Sequence, residues 1–298
     1  MAQYHVEVEI ESQPSCWREA TARLPLVRHA LPRHGERVAV FGCGTSLYMA
    51  RAYAGLRESL GHGLTDAFAA SELPFDRDYD RYVAISRSGT TTEVLRAVDH
   101  LTQPAQRTRV TPRRVTAITA VPNTSLATKD VITLDFADER SVVQTRFATS
   151  ALALLRASVG RPAPEGDAEH ALGEPLPEEW LRAEQITFLG AGWTNGLADE
   201  AALKAREAAQ LWTESYPAME YRHGPISIAQ PGRLTWMFGE APDGLAGDVA
   251  ATGAAYATSD LDPMAQLILA QRLAVELARA KGMDPDRPRS LTRSVVLP

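Results

Sequence analysis

Cysteine is nearly absent: Cys16 and Cys43 are the only two in 298 residues. A chain this long with so few is not built on a disulfide framework, which makes the cytoplasm the expected location. Long apolar runs are missing as well. No stretch reaches the roughly 18 consecutive apolar residues of a membrane span. The start, Met-Ala-Gln-Tyr-His-Val-Glu-Val-Glu-Ile-Glu, lacks the basic end and apolar centre of a signal peptide. Positive charge is in deficit, with 31 Lys and Arg against 37 Asp and Glu and a net charge of −6. That balance argues against nucleic acid and against an anionic membrane surface as partners. The histidines include no pair at metal-ligand spacing, so neither a metal site nor a cofactor is expected. No Gly-Lys-Ser/Thr occurs, Gly42-Cys-Gly44 has no third glycine at position 47, and no Gly-X-Ser-X-Gly elbow is present. These gaps exclude a P-loop, a complete dinucleotide fingerprint and a hydrolase-type serine.

What is present is a chain with 45% apolar residues, long enough for two domains of ordinary size. Short β-branched runs alternate with helical patterns. Strands are expected at 37–41, 82–85, 115–119 and 131–134, with helices at about 46–59, 92–101 and 147–159. Residues 160–178 hold four prolines and three glycines and read as a linker. The alternation then restarts, with strands at 185–189 and 234–238 and helices at about 197–214 and 263–281. Such alternation predicts mostly parallel, doubly wound sheets. The run Ile186–Gly190 plus helix repeats the pattern of Val38–Gly42 plus helix, so two copies of one fold in tandem are expected.

The most informative stretch comes after the second strand. From Ser86 to Thr92, five hydroxyl residues and one glycine fall within seven positions. Gly42-Cys-Gly-Thr-Ser46 succeeds the first strand in the same way. Glycines allow close backbone approach, and hydroxyls and helix N-termini donate to an anion. Helix capping would account for one or two hydroxyls per loop, not for the cluster. A phosphate is therefore the expected guest, with Arg87 adding charge.

In the second half, Glu200, Lys204 and Glu207 share one helical face. The spacing fits an exposed ion-paired face. It also fits a half-buried general base, whose carboxyl burial pushes up and lysine pulls down. His223, beside Gly224-Pro225, is held in place at a chain break and is a candidate for proton transfer. Cys43 reads as small filler in its loop, not as a nucleophile.

Taken in order, Gly42–Ser46, Ser86–Thr91, Glu200–Glu207, Glu220–Pro225 and the tail from Pro288 resemble the sugar isomerase (SIS) domain family. The resemblance is closest to the isomerase half of glucosamine-6-phosphate synthase and covers about residues 35–298. It implies an α/β fold of two tandem SIS domains, each a doubly wound, mainly parallel sheet flanked by helices. The first would span 20–160, the linker 161–178, and the second, with the tail, 179–298. By the same resemblance Ser46, Ser86, Ser88 and Thr91 bind the sugar phosphate, with Arg87 as an added ionic contact. Gly44, Thr45, Glu200 and Arg293 line the substrate site. Glu207 is the base that moves a proton between C1 and C2, and Lys204 flanks it. His223 opens the ring and reaches the site from a neighbouring subunit, which implies a homodimer with shared active sites.

Two departures bear on the chemistry. The chain has no glutaminase domain and no N-terminal cysteine, so ammonia from glutamine is not expected. Arg293 stands where the synthase has its Schiff-base lysine, and a guanidinium is no useful amine nucleophile. A phosphorylated amino sugar is the expected substrate. Its C2 proton would be lost to an enediol or enaminol, leading to isomerisation with deamination. Elimination of the C3 hydroxyl is the alternative, and a sugar-phosphate-sensing regulator without catalysis is the second class.

Overall fold

The computed structural model describes residues 3–103 and 113–297; the first expected domain range therefore includes positions outside the described residues. The strands are β1 (Val38–Gly42), β2 (Thr65–Ala69), β3 (Arg81–Ile85), β4 (Arg114–Thr119), β5 (Asp130–Thr133), β6 (Gln185–Gly190), β7 (Trp212–Pro217), β8 (Arg233–Met237) and β9 (Ala255–Ala257). The helices are α1 (His5–Glu11), α2 (Gln13–Ala22), α3 (Leu24–Val27), α4 (Thr45–Ser59), α5 (Thr92–Thr102), α6 (Arg146–Ser158), α7 (Glu165–Gly173), α8 (Glu178–Leu181), α9 (Asn195–Ala209), α10 (Leu245–Thr252) and α11 (Pro263–Ala280). The chain is α/β, with parallel sheets flanked by helices. It divides into two compact units. The first unit comprises Ser15–Glu139, Arg146–Ala163 and the tail from Thr292. The second comprises the segment up to Pro14, Arg140–Thr145 and Pro164–Leu291.

In the first unit the sheet order is β2-β1-β3-β4-β5, every pairing parallel. β1 and β3 are buried along their whole length, as strands covered by helices on both faces must be. α5 presents Val94, Ala97, Val98 and Leu101 at helical spacing to the cluster that holds Ala39, Phe41, Tyr82 and Ala84. Each such large side chain removed from water contributes about 1.5–3 kcal/mol. The buried Arg81 is paired in part: its Nε meets Glu36 at 3.1 Å and its Nη1 donates to the Ala30 carbonyl at 2.6 Å, while its Nη2 has no partner.

In the second unit the order is β7-β6-β8-β9, again all parallel. Both sheets thus run second strand, first, third, fourth, and in both the direction of winding reverses beside the first strand. Ligands of such sheets lie beyond the strands' carboxyl ends at that reversal. A glycine ends the first strand in each. A Cβ on Gly42 would sit 2.7 Å from the Ser46 Cβ and 2.9 Å from the Ile85 carbonyl oxygen. On Gly190 it would sit 2.6 Å from the Asn195 nitrogen. Only glycine lets the next helix start so close to the sheet edge.

Three sequence expectations need correction. The helix expected over 197–214 ends at Ala209. Gln210 adopts the left-handed conformation, φ 47° and ψ 37°, and donates back to the Ala205 and Arg206 carbonyls; β7 then begins at Trp212. The stretch read as a linker contains α7, which buries Ala168 and Ala171. The tail, placed with the second domain, is held by the first unit through hydrogen bonds to the β3–α5 loop. The sequence reading also missed β2, β9 and the N-terminal helices, whose short or mixed patterns carry little periodicity.

Candidate functional site

The loop after β3 is built from hydroxyls whose capping role the structure rules out. Thr91 is the N-cap of α5, and Gly44 that of α4, and neither makes a side-chain capping bond. Thr45 and Ser46 are buried at the start of α4. Ser86 is buried too, and its Oγ has no hydrogen-bond partner. An unmet buried hydroxyl costs about 1–3 kcal/mol in the folded chain, and this one lies at the sheet's reversal point. Ser88 receives hydrogen bonds from the backbone N–H and the hydroxyl of Thr90, at 3.2 and 3.0 Å. Its own hydroxyl donates to Ser294 Oγ at 3.1 Å. Thr90 Oγ1 and Thr91 Oγ1 lie 3.1 and 3.4 Å from the same Ser294 oxygen. Gly89, with φ +64°, makes this turn possible; a Cβ there would meet Thr124 at 2.7 Å.

Arg87 and Arg293 do not point their charges into the loop. The Arg87 guanidinium is buried against Glu139 at 3.5 Å, and its Nη2 donates to the Arg293 carbonyl at 2.9 Å. Arg293 pairs with Asp138 and donates to the Glu139 carbonyl. The formal charge of Arg87 is thus answered by Glu139, and the Arg293 guanidinium is tied to the first unit's own loop.

Cys43 lies half-buried between the two glycines of the first loop. Burial, reinforced by the Glu93 carboxylate, pushes its thiol up to about 11 from 9.0. The proton therefore stays on in the folded chain where an ordinary thiol has begun to ionise. Only thiolate reacts, so iodoacetamide labelling of Cys43, read by mass spectrometry, should be slow at pH 8 and accelerate only towards pH 11. Fast labelling at pH 8 would contradict this environment.

In the second unit, α9 brings together the three charged residues singled out from spacing. Lys204 Nζ lies against Glu207 Oε2 and 3.5 Å from Glu200 Oε1. Glu200 and Lys204 are each 1% exposed and Glu207 18%. The exposed-face reading of this helix is therefore excluded. α9 packs on α11 and on strands β6 and β7, and within this packing Glu200 and Lys204 are buried. Glu207 opens onto a groove of about 600 Å³ that is also lined by Arg206, Gln210, Trp212, Arg289 and Leu291. A carboxylate held by a buried ammonium at the edge of a groove can take and return a proton. His223 ends a short turn, Glu220–His223, and is exposed; Gly224 after it has φ 143°. Its neighbour Arg222 is held by Asp248 at 2.6 Å and by the Asp243 carbonyl at 2.7 Å. Among the described residues no cluster of His, Cys, Asp and Glu could hold a metal. No helix among them is long and apolar enough to cross a membrane.

Ser294 was missed as a member of the hydroxyl group. Its contacts span about 200 positions of sequence, and the only available signal was the small polar residue beside Arg293.

The chain thus combines a hydroxyl-lined loop at the reversal of one parallel sheet with a buried carboxylate–lysine pair on the helix that follows the first strand of the other. No protein-family model matches the chain. It is 28% identical to the isomerizing glutamine–fructose-6-phosphate aminotransferase of Sulfurisphaera tokodaii over 89% of this chain and 51% of that protein. The corresponding enzyme of Gluconobacter oxydans is 24% identical over 96% of this chain and 55% of its own length. The chain spans about half the length of these curated relatives. Among solved structures, glucosamine-6-phosphate deaminase of Thermotoga maritima superposes with a TM-score of 0.77 at 24% identity, covering 98% of this chain and 100% of that one. Tagatose-6-phosphate ketose/aldose isomerase of Escherichia coli gives 0.76 at 19% identity, covering 98% and 96%. Over most of its length the chain is thus similar to one part of these aminotransferases, and it shares its fold with these two phosphosugar enzymes.

Proposed function

We propose that the chain is two SIS domains in tandem forming an enzyme for hexosamine 6-phosphates, glucosamine 6-phosphate or its N-acetyl form. The observation that carries the reading is Lys204 buried between Glu200 and Glu207, with Glu207 alone facing a groove. Ser46, Ser86, Ser88 and Thr91 bind the phosphate, and Gly44 and Thr45 let the backbone approach it. His223 opens the ring, supplied by a second copy of the chain in a homodimer.

In the open-chain aldose the C2 proton is acidic because the carbanion delocalises into the C1 carbonyl. Glu207 takes that proton, giving an enaminol. Lys204, ion-paired with Glu207, holds the carboxylate in place. Return of the proton to C1 leaves an imine at C2. Water hydrolyses the imine to the ketose and releases ammonia. No group transfer is required, which agrees with Arg293 being a guanidinium engaged by Asp138. The likeness to the deaminase of Thermotoga maritima supports the same reading.

The test is incubation with glucosamine 6-phosphate and with its N-acetyl form, tracking ammonia and product mass. The expected result is ammonia and ketose phosphate in equal amounts from the free amino sugar. Loss of one water, without ammonia, would replace deamination by elimination. Binding without turnover of either sugar would make the chain a sensor.

A further inference from the structure

The tail from Thr292 touches two of the four hydroxyls that this phosphate reading assigns to the substrate, Ser88 and Thr91. Ser294 Oγ accepts a hydrogen bond from Ser88 at 3.1 Å, with Thr90 Oγ1 at 3.1 Å and Thr91 Oγ1 at 3.4 Å around it. Hydroxyls converging on one oxygen is the pattern expected for an acceptor-rich guest. Next to it, the Val295 carbonyl accepts the Thr92 N–H at 3.2 Å, a group in the first turn of α5 that an anion would otherwise take. The tail therefore puts a hydroxyl oxygen and a carbonyl oxygen where two oxygens of a phosphate would go.

Its attachment is polar. Arg87 donates to the Arg293 carbonyl at 2.9 Å. Arg293 pairs with Asp138, and the Leu297 N–H donates to Thr92 Oγ1 at 2.8 Å. Val295, Val296 and Leu297 remain 51%, 67% and 46% exposed, so little apolar burial holds the segment down. A segment fixed by exposed hydrogen bonds, without buried side chains, opens at low cost.

We propose that Thr292–Leu297 is a built-in competitor of the phosphate loop, in which Ser294 and the Val295 carbonyl fill the donor positions until an anion displaces them. The proposal rests on the reading of the loop as a phosphate site. Displacement is favourable because a phosphate dianion makes charge-assisted bonds to donors that the tail meets only with neutral oxygens. Arg293 and Asp138 set how often the segment is off. Apparent affinity is divided by the open fraction, so loosening the segment tightens binding without adding a contact.

The experiment is calorimetry of inorganic phosphate and of glucose 6-phosphate on the full chain and on Ser294→Ala, Arg293→Ala and Ser88→Ala. Both tail variants are expected to tighten phosphate about three- to tenfold, from a tail open about a third to a tenth of the time. Ser88→Ala should weaken it. If Ser294→Ala weakens binding as Ser88→Ala does, Ser294 is a donor to phosphate, and the competitor idea fails while the phosphate site stands. Unchanged affinity in both tail variants also overturns it. Should the parent chain bind neither ligand, or Ser88→Ala bind like the parent, the phosphate reading itself falls and takes this proposal with it. Hydrogen exchange gives an independent check: saturating phosphate should deprotect the Leu297 amide, and unaltered protection would contradict displacement.

Discussion

Glu207→Gln should lower turnover of the hexosamine phosphate by about 100- to 10,000-fold, the span that removal of a positioned base produces. The amide keeps the shape of the side chain and still reaches the 600 Å³ groove. It cannot take a proton from C2. Phosphate affinity should be unchanged, because the hydroxyl loop belongs to a different unit of the chain. Exchange of the C2 hydrogen with deuterated water isolates the step, and in Glu207→Gln it should vanish along with turnover. Full exchange with lost ammonia release would move Glu207 to a later step. Full activity would remove it from the mechanism.

The second large effect is on stability. Lys204→Met replaces a 1% exposed ammonium with an apolar chain of similar length. Glu200, equally buried, then loses the cation 3.5 Å away. Breaking one side of a buried pair costs about 3–5 kcal/mol, mainly the penalty of the charge left behind. The urea midpoint should fall accordingly. Adding Glu200→Gln should restore part of the loss, because neighbours in one network are not additive. A single variant as stable as the parent would show that the pair carries no such burden. Glu207, at 18% exposure, reaches water and adds less to this term.

Much of the architecture was legible because it is local. Apolar β-branched runs and helical spacing located β1, β3, β4, β6 and β8 and the helices α4, α5, α6 and α11 within a few residues. Gly42 was readable as a close-approach position, and at both Gly42 and Gly190 steric contact with the next helix leaves no room for a Cβ. The hydroxyl run of Ser86–Thr92 stood out by composition alone. The end of α9 was not legible. Gln has good helix propensity, and nothing in Gln210-Leu211 signals a left-handed turn; pairing with the neighbouring strand β6 is what draws Trp212–Pro217 into the sheet. Helix α7 was hidden by the prolines on either side of it.

The sequence by itself determined the alternation of strand and helix, the glycines at the strand ends, the hydroxyl loop and the shared face of Glu200, Lys204 and Glu207. Each arises from backbone sterics or from a period of a few residues. The tertiary structure decided what that face is for. A charge pattern reads the same in water as in a core, and only the packing of α9 among its neighbours in the fold buried Glu200 and Lys204. It also decided what the arginines do. Arg87 and Arg293 are cations in any reading, but Glu139 and Asp138 turned them into fasteners for a tail. Contacts between residues some 200 positions apart leave no trace in local sequence, because they exist only once the chain has closed.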